Sequence, residues 1–548
     1  MKSITPIYFF VFMAVLLASC YKGEKIPVDP LKESIIFDEE DINGYYAEQF
    51  LNNIYSDLPR GFNRIDNAIL DAATDDAISS EPTSNIEILG KAMLNPFNNV
   101  DDVYNKSYAA IRKVNLFLSK ITVVPVSDSI QLVWSAEARF VRAISYFELI
   151  KRYGGVPLIG DKILNLNDNL QIPKNSFEEC VGYIVSECNA ISPILMKEPV
   201  TANFVGRITQ GAALALKSRT LLYAASPLFN SSNDPAKWQA AFDAAKAVID
   251  LNYYALNSNL LRIFVDRTTA NKEVILAFQE SQKINIETNN APVGYSAQNV
   301  GSGLTSPTQE LVDAFVMVNG RSVSDPASGY DANLPYANRD PRLYATVFHN
   351  GSRWLNRSVE TFEGGRDKPG GQITQTRTGY YMRKFMGDFA NVANYTNQDH
   401  NFIIFRYAEM LLNYAEAANE LNQTTVAYDQ LKALRARAGI TAGTGSLYGL
   451  KASMTQSEMR EAIQLERRLE MAFEEQRFWD ARRWKIAETV FNKQLHGMRI
   501  LQGEGGAFSY EIIPVSEVVF KAPKMYLYPF PFSEIQKNRA LIQNPGWQ

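Results

Sequence analysis

Three cysteines and three histidines are the whole supply of soft metal ligands in this chain. His349, His400 and His496 stand far apart, and neither a C-x-x-C pair nor H-E-x-x-H occurs. Composition therefore argues against a Cys/His zinc site or an iron–sulfur cluster. There is no G-x-x-x-x-G-K-[ST] and no G-x-S-x-G, so neither a phosphate-cradling loop nor an elbow nucleophile is marked. Gly364-Gly365 and Gly370-Gly371 lack a strand-to-helix context for binding phosphate. Asp75-Asp76 and Asp101-Asp102 are paired acids of the kind glycoside hydrolysis uses. That chemistry needs two carboxyls roughly 5 to 9.5 Å apart across a substrate. Helix capping and solvation are the expected roles of these pairs. No residue pattern calls for a cofactor or a metal. Net charge is −4 from 55 basic and 59 acidic residues, without the basic excess of a nucleic-acid binder. Aromatic residues are abundant at 11%, enough to build a large core and still expose flat rings to a ligand.

The chain start points to a compartment. Lys2 precedes an apolar run at 7–18 (IYFFVFMAVLLA), too short to span a bilayer, which takes ~20 residues, and suited to the h-region of a secretory signal. It ends in Leu17-Ala18-Ser19-Cys20, which resembles the lipobox of bacterial lipoproteins. This predicts a signal peptide at 1–19 and a lipidated Cys20, with more than one acyl chain for stable anchoring. Residues 20–35 are polar and Pro-containing and read as a tether. Cys180 and Cys188 are eight residues apart in a helical pattern, hence ~12 Å apart along the axis. That exceeds disulfide reach, so two buried thiols are expected.

With 548 residues the chain holds one large domain or two to three small ones. Helical periodicity dominates. Residues 134–153 place Ala136, Phe140, Ala143, Phe147 and Ile150 on one face, carry a Glu148/Arg152 pair and stop at Gly154-Gly155. Residues 209–226 and 238–251 are Ala-rich helical stretches. Residues 405–421 and 426–438 form a helix pair of about 34 residues, the length of a tetratricopeptide unit, closed by Gly439. Residues 457–484 predict one long charged helix or two, capped by Thr455 or Ser457. Residues 280–400, rich in Gly, Asn, Pro and Tyr, read as loops on a helical platform, and 510–515 as a short β piece.

Several segments resemble the SusD/RagB family of outer-membrane nutrient-binding lipoproteins. They are Glu137-Ala138-Arg139-Phe140, Tyr153-Gly154-Gly155-Val156-Pro157-Leu158, 217–229 (KSRTLLYAASPLF) and 307–315 (PTQELVDAF). Asn338-Arg339-Asp340-Pro341-Arg342, 380–385 (YYMRKF), 435–439 (RARAG) and 466–484 (ERRLEMAFEEQRFWDARRW) follow, then Tyr528-Pro529-Phe530-Pro531 and 543–547 (QNPGW). Their succession spans nearly the whole chain after the signal. The resemblance implies a mainly α fold: a superhelix of four tetratricopeptide-like helix pairs, with an irregular, loop-rich C-terminal part containing minor β. It implies an N-terminal SusD-like helical region at 36–275 and a C-terminal region at 276–548. It also implies a non-enzymatic lid, lipid-anchored in the outer membrane and facing the cell surface, over a TonB-dependent transporter of the SusC type. Such lids capture oligosaccharides, and some relatives handle peptides. A glycoside hydrolase and a tetratricopeptide scaffold remain the alternative classes.

The motifs themselves read as structural: buried turns and ion pairs at Asp340-Pro341-Arg342 and Gln476-Arg477-Phe478, and a pinned chain end at 543–547. Ligand contacts must come from loops, where rings stack on sugar C–H faces and Asn, Asp or Arg bind hydroxyls. The candidates are Asp75, Asp76, Asn95, Phe97 and Asn98 from an N-terminal loop, and Tyr295, Tyr330, Tyr336, Arg353 and Trp354 from the later one. Tyr295, between Gly294 and Ser296 in a stretch without helical period, is the preferred ring. Trp354 is the largest and the most prone to packing.

Overall fold

The computed structural model describes residues 36–547 apart from 62, 200, 281, 299–301, 372–373 and 388–398. The signal segment, Cys20 and the tether lie outside the described residues.

Ten described helices have eight or more residues: α1 (Tyr45–Tyr55), α2 (Tyr104–Lys120), α3 (Asp128–Tyr153), α4 (Phe177–Ile191), α5 (Gln210–Ala225), α6 (Pro235–Ile249), α7 (Tyr407–Glu420), α8 (Thr424–Ala438), α9 (Gln456–Glu470) and α10 (Gln476–Arg483). From α2 to α9 each helix packs on the next in sequence, as in a helical solenoid. The α6–α7 step is notable, because more than 150 residues of loops and short elements intervene before the stack resumes.

Local chemistry sets the helix ends. Ser127 Oγ caps α3 by accepting from Ile130 N. Ser176 with Glu179 and Thr455 with Glu458 form reciprocal capping boxes on α4 and α9. Asp234 caps α6, with Pro235 in the first turn. Gly154 at φ 73° ends α3, and Gly439 at φ 88° ends α8 in the left-handed conformation that glycine adopts without strain. The second half of α3 is buried nearly all round, from Ala136 to Tyr153, because α1, α2, α4 and α5 all pack against it.

The irregular part is held by antiparallel two-stranded ribbons: β1 (Ala77–Ser79) with β3 (Thr305–Pro307), β2 (Val274–Gln279) with β8 (Asn401–Arg406), β4 (Val347–Phe348) with β7 (Tyr381–Met382), β5 (Arg353–Trp354) with β6 (Arg357–Ser358), and β9 (Lys493–Gln502) with β10 (Phe508–Val518). The β2–β8 ribbon joins the two ends of the long excursion between α6 and α7. The fold is thus mainly α with minor β, as the sequence implies.

Within 457–484 the helix breaks in two, with Phe473 and Glu475 at positive φ. The cause is distant in sequence. The Phe473 and Glu475 amides donate to the Asp71 carboxylate at 3.1 and 3.2 Å, and the backbone leaves the helical path to reach it.

Charge is buried on a large scale. Arg342 pairs with Asp340 (2.8 Å), Glu466 (2.6 Å) and Glu470 (3.2 Å). Arg406 pairs with Glu273, Glu470 and Glu474, each at 2.7 Å. Each guanidinium in this network has its carboxylates within hydrogen-bond reach, the condition under which buried charge is tolerated. Cys180 and Cys188 are buried free thiols, and burial pushes them up to about 11 and about 12. Among the described residues no helix is long and apolar enough to cross a membrane.

Candidate ligand-binding site

The ten loop candidates separate into three groups. Asp75 and Asp76 are fully buried, not solvated. Arg477 holds Asp75 at 2.9 Å, Lys493 reaches it at 3.1 Å, and Arg468 holds Asp76 at 2.6 Å. Burial raises the Asp75 pKa, but the surrounding cations outweigh it and keep the carboxyl well below the usual range. Burial beside Asp75 instead lifts Asp76, against Arg468. These acids are spent on joining the N-terminal loop to α9 and α10. Neither the capping nor the solvation expected of them is what they do. Asp101 is likewise buried, between Arg152 at 3.0 Å and Arg64.

Tyr295, Tyr336 and Trp354 are buried as well, with 1%, 8% and 4% exposure. The Tyr295 hydroxyl donates to the Trp354 carbonyl at 2.9 Å, its ring packs on the Trp354 ring at 4.8 Å, and Arg357 lies over it at 3.6 Å. Trp354 Nε1 donates to the Gly387 carbonyl at 3.0 Å. Tyr336 stacks on His349 at 4.1 Å. These rings pack inward on one another and on distant backbone carbonyls, so the preference for Tyr295 as a ligand-facing ring is corrected. Tyr330 is half-buried beside Arg339, and Arg353 is exposed on β5, next to a Trp354 whose ring is turned into the core.

Asn95, Phe97 and Asn98 come together at the surface. The Asn95 side-chain oxygen accepts from the Phe97 and Asn98 amides at 2.9 and 3.1 Å, so it fixes a turn that presents Phe97 outward. Phe97 is 76% exposed. Its ring meets Phe532 at 4.5 Å, and the Phe532 amide donates to the Pro96 carbonyl at 3.0 Å. Asn98 is exposed, and its side-chain amide makes no hydrogen bond with the described residues. The result is a two-ring ledge with an amide beside it. Sequence reasoning does not find Phe532. It directly follows Tyr528-Pro529-Phe530-Pro531, where Tyr528 and Phe530 are buried, and no local spacing separates its partly exposed ring from those two.

A cleft of about 610 Å³ opens nearby. Asp101 on its wall is four residues from Phe97, at most about 14 Å of chain. Residues 57–60 and 63–67, α2, α3, Glu280 with 283–289, β8 and the turn before α10 line it. Trp479 forms part of the lining, with Lys151 Nζ and the Arg152 guanidinium each 4.9 Å from the ring centre. Lys151 also bonds Glu148 at 2.7 Å. Burial brings the Lys151 amine down to about 8 despite that partner. Burial raises Glu148, yet Lys151 and Arg152 outweigh it and hold it at about 2. Trp479 lies inside a motif read as structural, and no spacing distinguishes a cleft-lining ring from a core ring there. Polar walls with donors and acceptors of both kinds suit a polyhydroxylated ligand. No group of three or more His, Cys, Asp and Glu among the described residues is placed to hold a metal ion.

Comparison with known proteins agrees with this fold. Residues 272–547 match the family model described as the SusD family, and residues 44–222 match one described as starch-binding, associating with the outer membrane. A SusD-like protein of Formosa agariphila is 24% identical over 458 residues, 82% of this chain and 81% of its own length. The crystal structure of a SusD-like protein from Bacteroides fragilis superposes with a TM-score of 0.79 at 28% identity, covering 94% of this chain and 99% of the other. A second Bacteroides fragilis structure, of a SusD-like carbohydrate-binding protein, shares the fold with a TM-score of 0.75 at 24% identity, covering 93% and 100%.

Proposed function

Since the chain belongs to the SusD/RagB family, we propose that it is a non-catalytic glycan-binding lipoprotein that captures oligosaccharide at the outer surface of the outer membrane and hands it to a TonB-dependent transporter of the SusC type. The observation that carries the reading is the exposed Phe97 ring, propped by Asn95 and flanked by Asn98 and Phe532. A flat ring offers dispersion contact to a sugar C–H face, and the neighbouring amide can bind hydroxyls. The acids that could have suggested hydrolysis support the non-catalytic reading, because Asp75, Asp76 and Asp101 are occupied by arginines. Anchoring is assigned to lipid on Cys20, with 20–35 as the tether.

The test is calorimetry of the purified mature protein against a glycan panel, with reducing ends assayed in parallel. Phe97→Ala is expected to weaken binding by about 1–3 kcal/mol, the scale of a lost ring stack, while leaving the melting temperature unchanged. Binding indifferent to Phe97 places the site elsewhere, and turnover that survives repurification refutes the non-catalytic reading. Binding of peptides but no glycan replaces the sugar by a peptide ligand. Cys20→Ala should release the protein from the membrane fraction.

A further inference from the structure

The charges around the cleft do not all cancel locally. Inside, Arg152 is matched by Asp101 and Glu148, and Arg64 by Asp101 and Glu475. At the rim the balance differs. Glu280 is shared by two cations, Arg60 at 3.2 Å and Lys283 at 3.6 Å. Asp57, which with Glu148 acts on Lys106, is bound by Lys113 at 2.6 Å. Asp102 accepts from the Tyr153 hydroxyl and the Tyr104 amide, each at 2.8 Å. Lys106, exposed on α2 and part of the cleft lining, makes no ion pair or hydrogen bond with any described residue. At the rim, then, Arg60 and Lys283 share one carboxylate, and Lys106 is bonded to none among the described residues.

We propose that the rim of this cleft is an anion subsite, in which Lys106 and Arg60 bind the carboxylate or sulfate group of an acidic glycan. The proposal rests on the glycan-binding reading above and names the class of glycan. Two like charges brought together at the mouth of a cavity cost energy in the empty protein, and a bound anion relieves that cost. Partial burial, then the Arg60 charge, bring the Lys106 amine below the ordinary lysine value, against the opposing pull of Asp57 and Glu148. Arg60 can turn toward a ligand because its guanidinium is exposed and rests over the Phe278 ring at 5.1 Å, giving it a fixed base and a free edge.

The experiment uses calorimetry with three probes of matched length: oligogalacturonate carrying carboxylates, a sulfated galactan oligosaccharide, and neutral oligosaccharides. At least one acidic probe should bind more tightly than the neutral ones, and its affinity should fall as salt rises from 50 to 500 mM NaCl, roughly the range over which exposed charges become screened. Which acidic probe binds identifies carboxylate or sulfate as the group. Lys106→Gln should weaken the acidic probe roughly five- to tenfold more than it weakens any neutral glycan. Phe97→Ala should weaken both. Lys106 is exposed and unpartnered, so its replacement is not expected to disturb folding, and a thermal melt checks this. Equal affinity for neutral and acidic probes, or an acidic-probe affinity indifferent to Lys106→Gln, overturns the anion subsite alone. If no glycan of any charge binds, the glycan reading falls and the subsite with it.

Discussion

Phe97 and Tyr295 are both aromatic residues outside the long helices, yet one is exposed and the other is packed. At Phe97 a local Asx turn through Asn95 points the ring outward, and that turn chemistry is written within three residues. At Tyr295 the deciding partners are Trp354 and Arg357, about sixty residues on, which no local pattern reveals. Tyr295→Phe should cost about 1 kcal/mol for the lost bond to the Trp354 carbonyl, and Tyr295→Ala about 3–5 kcal/mol for the cavity, read from urea midpoints. An unchanged midpoint for Tyr295→Ala would contradict its packing. A second residue-scale prediction concerns acid. Glu148 sits at about 2 in the folded protein against about 4.3 unfolded. Its carboxylate therefore contributes stability in full above pH ~4.3, and that contribution fades as pH falls toward 2. The stability gap between wild type and Glu148→Gln should shrink over this window. A gap that stays constant from pH 5 to 2 would rule out the carboxylate as its source.

At the scale of elements, helix ends are more legible than helix interiors. Thr455 is one of the two caps expected for the charged helix, and it is the cap observed, accepting from the Glu458 amide while Glu458 bonds the Thr455 amide in return. Gly154 and Gly439 stop their helices as the sequence predicts. The break at 471–475 has no local sign, because its cause is Asp71, a side chain about 400 positions earlier. Register and breaks imposed by tertiary hydrogen bonds carry no periodic signature. Thr455→Ala should cost about 0.5–2 kcal/mol, and Thr455→Ser should recover most of it, since serine supplies the same acceptor. Equal destabilisation by both would mean that the threonine methyl, not its hydroxyl, matters. Differential denaturation of the two variants separates these cases.

Across the whole molecule, the solenoid is interrupted and then completed. More than 150 residues leave the stack after α6, and α7 returns to pack on α6 with β2 and β8 paired at the gate. Buried arginines secure the return: Arg406, at the end of β8, meets Glu273, Glu470 and Glu474 at once. The succession of helical segments is evident from periodicity, but this long-range closure is not, because an ion network leaves only scattered Arg and Glu in the sequence. The chain end closes the structure a second time. The Asn544 amide donates to the Tyr153 carbonyl at 2.9 Å and the Tyr528 carbonyl at 2.8 Å, at the C-terminus of α3. Trp547 Nε1 donates to the Lys524 and Leu527 carbonyls, both at 2.9 Å, with its ring buried and Lys524 over it at 4.7 Å. Tyr528 in turn reaches Asp101, on the cleft wall, at 3.0 Å. A chain stopped at Gln543 therefore loses a buried indole and two carbonyl-capping bonds beside the cleft. We expect it to be less stable by at least about 3 kcal/mol, the scale of removing one buried tryptophan. Its glycan affinity should fall as well, because without Asn544 the Tyr528 that bonds Asp101 on the cleft wall is held less firmly. A truncated protein that matches the full chain in both denaturation midpoint and affinity would show that the last five residues lie on the fold without holding it.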